Sequence, residues 1–146
     1  MATRQTPLLT VDIIIELVDR PGHPIVLIRR KYSPPGLAFP GGFVDRGETV
    51  AEAAIREAAE ETSLTVNLLG IVGVFSDPSR DQRGHTVSVT FVATATGEPA
   101  AADDAGEIIL LDPGQAPPEP LAFDHALMLE RYRDYRYRQL QLIQAD

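Results

Sequence analysis

Between Gly41 and Leu64 the chain reads GGFVDRGETVAEAAIREAAEETSL, the segment richest in residues that can do chemistry. On a helical wheel turning ~100° per residue, Val50, Ala51, Ala54, Ile55 and Ala58 form one apolar side of mostly small side chains. By the same geometry Glu57, Glu60 and Glu61 fall within an arc of roughly 100° on an adjacent face. Spacings of three and four set these carboxylates side by side, and like charges so placed destabilise a helix by ~0.2–0.5 kcal/mol per pair. Only Arg56 lies close in sequence to relieve them. A hard divalent cation such as Mg²⁺ would also relieve them, because it takes a few carboxylate oxygens and keeps its remaining waters. The competing reading of such a helix is a solvated acidic face. With no Cys in the chain, any metal must be held by oxygen or imidazole.

Composition narrows the function classes. The 146 residues fit one domain, spanning 1–146, large enough for a real core. No apolar run approaches the ~20 residues of a membrane span. The N-terminus lacks a basic head joined to an apolar stretch and a small-residue cleavage site, so a cytoplasmic location is expected. A net charge of −8 leaves no broad basic footprint for duplex DNA, and no second, DNA-binding domain is expected in this length. Neither a Gly-x-Ser-x-Gly turn nor a Walker-type phosphate loop is present. All but one of the Lys and Arg side chains are Arg, which suits bidentate phosphate contacts.

The elements that must carry this segment are legible from patterning. Leu8 to Leu17 reads as a strand interrupted by Asp12 and Glu16. The turn residues Asp19 to Gly22 then lead to a second strand, Ile25 to Arg29, in a hairpin. Thr49, followed three residues on by Glu52, predicts a capping box at the head of a helix reaching Thr62. Leu64 to Phe75 and Thr86 to Ala95 read as strands around a polar loop, Ser76 to Gly84. Glu107 to Leu111 reads as a short strand, and Asp124 to Gln141 as a helix. On that last helix Met128, Tyr132, Tyr135 and Leu142 share a helical spacing, which predicts a packed face or a homodimer contact rather than an Arg–Tyr surface for single-stranded nucleic acid. Strands and helices mixed in this order predict a single α/β or α+β domain.

The spacing of Gly42, Glu48, Arg56, Glu57, Glu60 and Glu61 is the signature of the Nudix hydrolases, and the chain resembles that family over nearly its whole length. At average residue frequencies, six such positions match by chance in on the order of one in 10⁵ chains. The resemblance implies an α/β/α sandwich with a mixed sheet. Its loop–helix–loop would hold Mg²⁺ or Mn²⁺ against a diphosphate, and the reaction would be hydrolysis of a nucleoside diphosphate linked to another group. It further implies Glu57 and Glu61 as main metal ligands, Glu60 as a further ligand or base, and the Gly42 carbonyl completing the shell. Arg56 would orient carboxylates, through Glu48. Ser63 departs from the pattern, where glycine is expected after the helix. A left-handed conformation there would cost ~1 kcal/mol, a matter of stability rather than chemistry.

Three further stretches are similar to Nudix enzymes acting on ADP-ribose: Phe75 to Phe91, Leu121 to His125, and the acidic run Asp103 to Glu107. Arg80, Arg83 and His85 are thereby candidates for phosphate or ribose contacts, as is Arg29 or its neighbour Arg30 at the end of a strand. Glu107 is a candidate base or extra metal ligand, and His125 a structural or substrate-adjacent residue. The expected partner is a small nucleotide, with no nucleic acid and no membrane. ADP-ribose, cleaved to AMP and ribose 5-phosphate, is the expected substrate. The same chemistry on nucleoside triphosphates or nucleotide sugars, and a sensing module without catalysis, stand as alternatives.

Overall fold

The computed structural model describes residues 3–102 and 106–146. Its first strand, β1 (Leu8–Leu17), is apolar on both sides, and that fixes its place in the middle of the sheet. Alternate residues Val11, Ile13, Ile15 and Leu17 enter one core. Ile14 enters a second core on the opposite face. Around β1 lie β2 (Ile25–Arg30), β3 (Leu37–Ala38), β4 (Gly41–Phe43), β5 (Asn67–Phe75), β6 (Thr86–Ala95) and β7 (Gly106–Leu111). Strand β6 runs parallel to β1, and every other pairing is antiparallel, so the sheet is mixed.

Helix α1 (Val50–Thr62) covers the first core with Ala53, Ala54 and Ala58. Helix α2 (His125–Arg138) covers the second with Met128, Leu129 and Tyr132. The result is the expected α/β/α sandwich with a mixed sheet. At its Glu16 end β1 pairs with β2, whereas at Thr10 to Asp12 it pairs with β4. The sheet therefore parts beside Asp12, and the loop carrying the glycines fills the gap.

Several boundaries and faces differ from expectation. The α1 apolar face is rotated: Ala53 is fully buried, while Ile55 is 42% exposed. Strand β5 begins at Asn67 rather than Leu64, and β2 continues through Arg30. Helix α2 stops at Arg138 because Gln139 takes a left-handed conformation. Leu142 reaches the second core from an extended tail whose Ile143 bridges to Ile71. Part of the Arg–Tyr pattern of α2 is spent inward, while Tyr137 and Arg138 are exposed. The Tyr132 hydroxyl donates to the buried Glu16 at 2.6 Å, and Arg136 reaches the same carboxylate at 3.4 Å. Ser63 adopts the left-handed conformation considered above, with φ at 62°. Asp103 and Asp104 of the acidic run lie outside the described residues. Among those described, no helix is long and apolar enough to cross a membrane.

Candidate active site

The acidic helix is fixed at both ends. At its head the Thr49 hydroxyl accepts from the Glu52 N–H at 3.1 Å, and the Glu52 carboxylate accepts from the Thr49 N–H at 3.0 Å. At its tail the Ser63 N–H donates to the Ala59 carbonyl. Between them Arg56 is a hub. Its guanidinium donates to both oxygens of Glu48 at 3.0 and 2.5 Å, to Glu57 at 2.8 Å, to Glu60 at 3.3 Å and to the Phe43 carbonyl at 3.0 Å. Arg56 and the Asp45 N–H together hold the Glu48 carboxyl down at about 2. The loop Gly41–Phe43 is thus tied to α1 through one side chain, as a positioning role for Arg56 and Glu48 requires.

Glu57 packs against the loop so closely that a Cβ on Gly42 would lie 2.5 Å from its carboxyl carbon, and any larger residue there would displace the carboxylate. Burial raises the Glu57 carboxyl, and Arg56 opposes the rise. One turn on, burial and then the Glu57 charge push Glu61 up to about 8, while the Gly41 N–H donates to it at a long 3.4 Å. Glu60 is exposed and lies beside Arg56 instead.

A cavity of about 190 Å³ opens where the sheet parts, walled by Asp12, Arg30, Gly42, Glu61, Arg83 and Phe123 among others. Asp12 is the carboxylate that patterning noticed only as an interruption in an apolar strand. The Ser88 hydroxyl donates to it at 2.6 Å, and burial pushes it up to about 7. His125 stands 3.5 Å from its other oxygen. The His125 Nδ1 accepts from the Phe39 N–H at 3.0 Å, and burial drives the imidazole down to about 3, so it is neutral. Arg80 is buried on the same wall, forked onto Asp124 at 2.8 and 3.0 Å and bonded to Thr86. Arg83 pairs with Asp81 at 2.9 Å.

Glu48, Arg56, Glu57 and Glu60 lie outside the lining of this cavity, and Arg29, Glu107 and His85 do not meet it either. Arg29 and Glu107 face each other across the β2–β7 pair and form an ion pair, with Glu119 also bound to Arg29. Side chains alternate along a strand, so with Arg29 on that side it is Arg30 that lines the cavity. His85 contacts the Ser76 carbonyl at 3.0 Å and lines an adjoining depression that shares Arg83, Asp81 and Thr86. Asp12 and Phe123 were missed as site residues. An acid inside a run of Val and Ile was the available signal for the first.

A NUDIX domain model matches residues 7–132. The chain belongs to the Nudix family. Its Nudix domain is 42% identical over 133 residues to an ADP-ribose pyrophosphatase of Methanocaldococcus jannaschii, covering 89% of this chain and 75% of that protein. It is 33% identical over 134 residues to an ADPR responsive transcriptional repressor of Acinetobacter baylyi, covering 86% of this chain but only 53% of the repressor. A mutT/nudix family protein of Listeria innocua superposes with a TM-score of 0.74 at 39% identity, covering 92% of this chain and 98% of that one. As a Nudix hydrolase the protein falls among enzymes that generally use divalent metals.

The residues present fit such an ion. Glu57 and Glu61 are neighbouring carboxylates whose burial and mutual repulsion a divalent cation would offset. Among the described residues no three His, Asp or Glu side chains converge into a ready cage. Two carboxylates with a main-chain oxygen from the adjoining glycine loop are the donor set of an ion that keeps much of its water, which is how Mg²⁺ is commonly held.

Proposed function

We propose that the protein is a divalent-metal-dependent pyrophosphatase that hydrolyses ADP-ribose to AMP and ribose 5-phosphate. The observation that carries the reading is the joining of Glu57 to the Gly41–Phe43 loop through Arg56, and of Glu61 to the same loop through the Gly41 N–H, beside a cavity lined by Arg30 and Arg83. The 42% identity to an ADP-ribose pyrophosphatase supports the choice of substrate. The chemistry needs no protein nucleophile. Water adds to one phosphorus, the bridging P–O bond breaks, and the departing phosphate takes the electron pair. A metal held by Glu57, Glu61 and the Gly42 carbonyl would neutralise phosphate oxygens and lower the pKa of bound water. Arg30 and Arg83 bind the phosphate oxygens of the substrate. Arg56 keeps Glu57 aimed at the loop, and neutral His125 holds the entry to that loop through the Phe39 N–H. Asp12, poised near neutrality within the cavity, is the carboxylate suited to accept a proton. A nucleotide substrate is consistent with a cytoplasmic enzyme.

Incubating the protein with Mg²⁺ or Mn²⁺ and a panel of ADP-ribose, nucleotide sugars and nucleoside triphosphates tests this directly. AMP and ribose 5-phosphate should appear fastest from ADP-ribose, and equal or slower turnover of it would defeat the assignment. The relationship to a repressor that responds to ADPR favours one second reading, a sensor without catalysis. Binding of ADP-ribose without turnover in either metal would establish that reading instead.

A further inference from the structure

Phe123 is a large apolar side chain placed where the chain does not favour one. It immediately precedes Asp124, the residue at the head of α2, and has φ at 54°, a left-handed conformation that bulky residues rarely adopt. Its neighbour Asp124 is pinned by the fork from Arg80, and its ring leans on His125 with centroids 5.4 Å apart. The ring is thus held at one position on the cavity wall. Two guanidiniums lie over it: Arg30 with its Cζ 4.8 Å from the ring centroid, and Arg83 at 5.1 Å. One comes from the end of β2, the other from the polar loop before β6, so three segments distant in sequence meet at this ring.

The two cations are not equivalent. Arg83 is neutralised by Asp81. Arg30 donates through Nε to the Pro34 carbonyl at 2.7 Å, and among the described residues no carboxylate lies within 4.0 Å of it. No buried side-chain nitrogen of the described residues lacks a partner, so the remaining Arg30 nitrogens are accessible, on a residue that lines the cavity. Burial, and then the nearby Arg83 charge, lower its pKa, which means the cation is held there against its own solvation and a like neighbour. An aromatic face attracts a guanidinium by its quadrupole and offsets part of that cost.

We propose that Phe123 is a positioning residue that holds Arg30 and Arg83 together as a two-guanidinium clamp for the phosphate oxygens of a nucleoside diphosphate. This rests on the reading of the cavity as the substrate site, and it adds the ring as a determinant of phosphate affinity. The clamp acts on binding, whereas the carboxylates of α1 act on the reaction.

Calorimetric titration with ADP in EDTA reads the clamp without any turnover. Phe123→Leu keeps apolar bulk but removes the quadrupole, and its ADP affinity should fall about tenfold, the scale of a desolvated cation–π contact. Phe123→Tyr keeps the ring face and should bind like the wild type. With ADP-ribose and Mg²⁺, Phe123→Leu should raise KM about as much while kcat falls far less, the mark of lost ground-state binding. Should Phe123→Leu not fold, Arg30→Lys decides: charge without a planar fork should also weaken ADP binding about tenfold. Wild-type ADP affinity in Phe123→Leu, or in Arg30→Lys if that is the variant that folds, overturns the clamp. Lost ADP affinity in these variants, together with a wild type that leaves ADP-ribose intact, would keep the clamp and defeat the proposed hydrolase activity.

Discussion

At the scale of single residues the acids of this protein divide by what lies beside them. Glu57 and Glu61 are desolvated and set against the glycine loop, Glu60 is exposed beside Arg56, and Glu107 is neutralised by Arg29 on the far side of β2. Removing one group that stabilises transition-state charge costs about 10²–10³ in kcat. Glu57→Gln and Glu61→Gln should each lose that much with circular dichroism unchanged, because each swaps a charge for an isostere. A rate within a few-fold of wild type in either variant would remove that residue from the metal site. Glu107→Gln should behave oppositely, with kcat and its pH profile within about twofold of wild type, as expected of a surface pair. A large loss there would mean that the Arg29–Glu107 pair opens during turnover.

At the scale of elements, most of the architecture was legible because local signals and burial agreed. The Thr49 to Glu52 box, the central strand Leu8–Leu17 and the strand Thr86–Ala95 formed as their patterns required. What patterning missed depends on contacts remote in sequence. Strands β3 and β4 are two and three residues long, too short to show a period, and exist because β2 and β1 offer them hydrogen bonds. Patterning favours Arg29 for the phosphate contact, but the β2–β7 register puts Glu107 opposite it and leaves Arg30 on the cavity. Asp12 lines the cavity, and its carboxylate is held there by Ser88, 76 positions away. Ser63 holds the left-handed helix end that its position after α1 raised only as a condition, with φ at 62°. Ser63→Gly relieves a penalty of ~1 kcal/mol and should raise Tm by about 2–4 °C in this size of domain. Loss of the Ser63 hydroxyl bond to the Ala100 carbonyl offsets little, since that bond is exposed. Activity should not change. A lower Tm would show that the hydroxyl matters more than the backbone strain.

At the scale of the whole molecule, one central strand serves both stability and chemistry: its odd-numbered residues seal the α1 core, while Asp12 and Glu16 interrupt the α2 side. Glu16 is satisfied by Tyr132, but Asp12 and, nearby, Glu61 carry buried carboxyls raised to about 7 and about 8. Both values lie above those of an unfolded chain, so the folded state binds more protons, and stability must fall as pH rises toward 8. His125 works the other way, because a folded value of about 3 makes unfolding take up a proton below ~6.5. Its contribution is complete above that pH, which leaves the window from 6.5 to 8 to the two acids. In EDTA the melting temperature should therefore drop by a few degrees across that window, corresponding to on the order of 1 kcal/mol. Glu61→Gln should flatten the drop, most of all above pH 7, where Asp12 has already ionised. Mg²⁺ or Mn²⁺ should stabilise the wild type more at pH 8 than at pH 6.5, since the ion binds the deprotonated carboxylate. A melting temperature in EDTA that stays level from pH 6.5 to 8 would mean that these carboxyls are hydrated in solution, and that the pressure toward a metal ion is weaker than their burial implies.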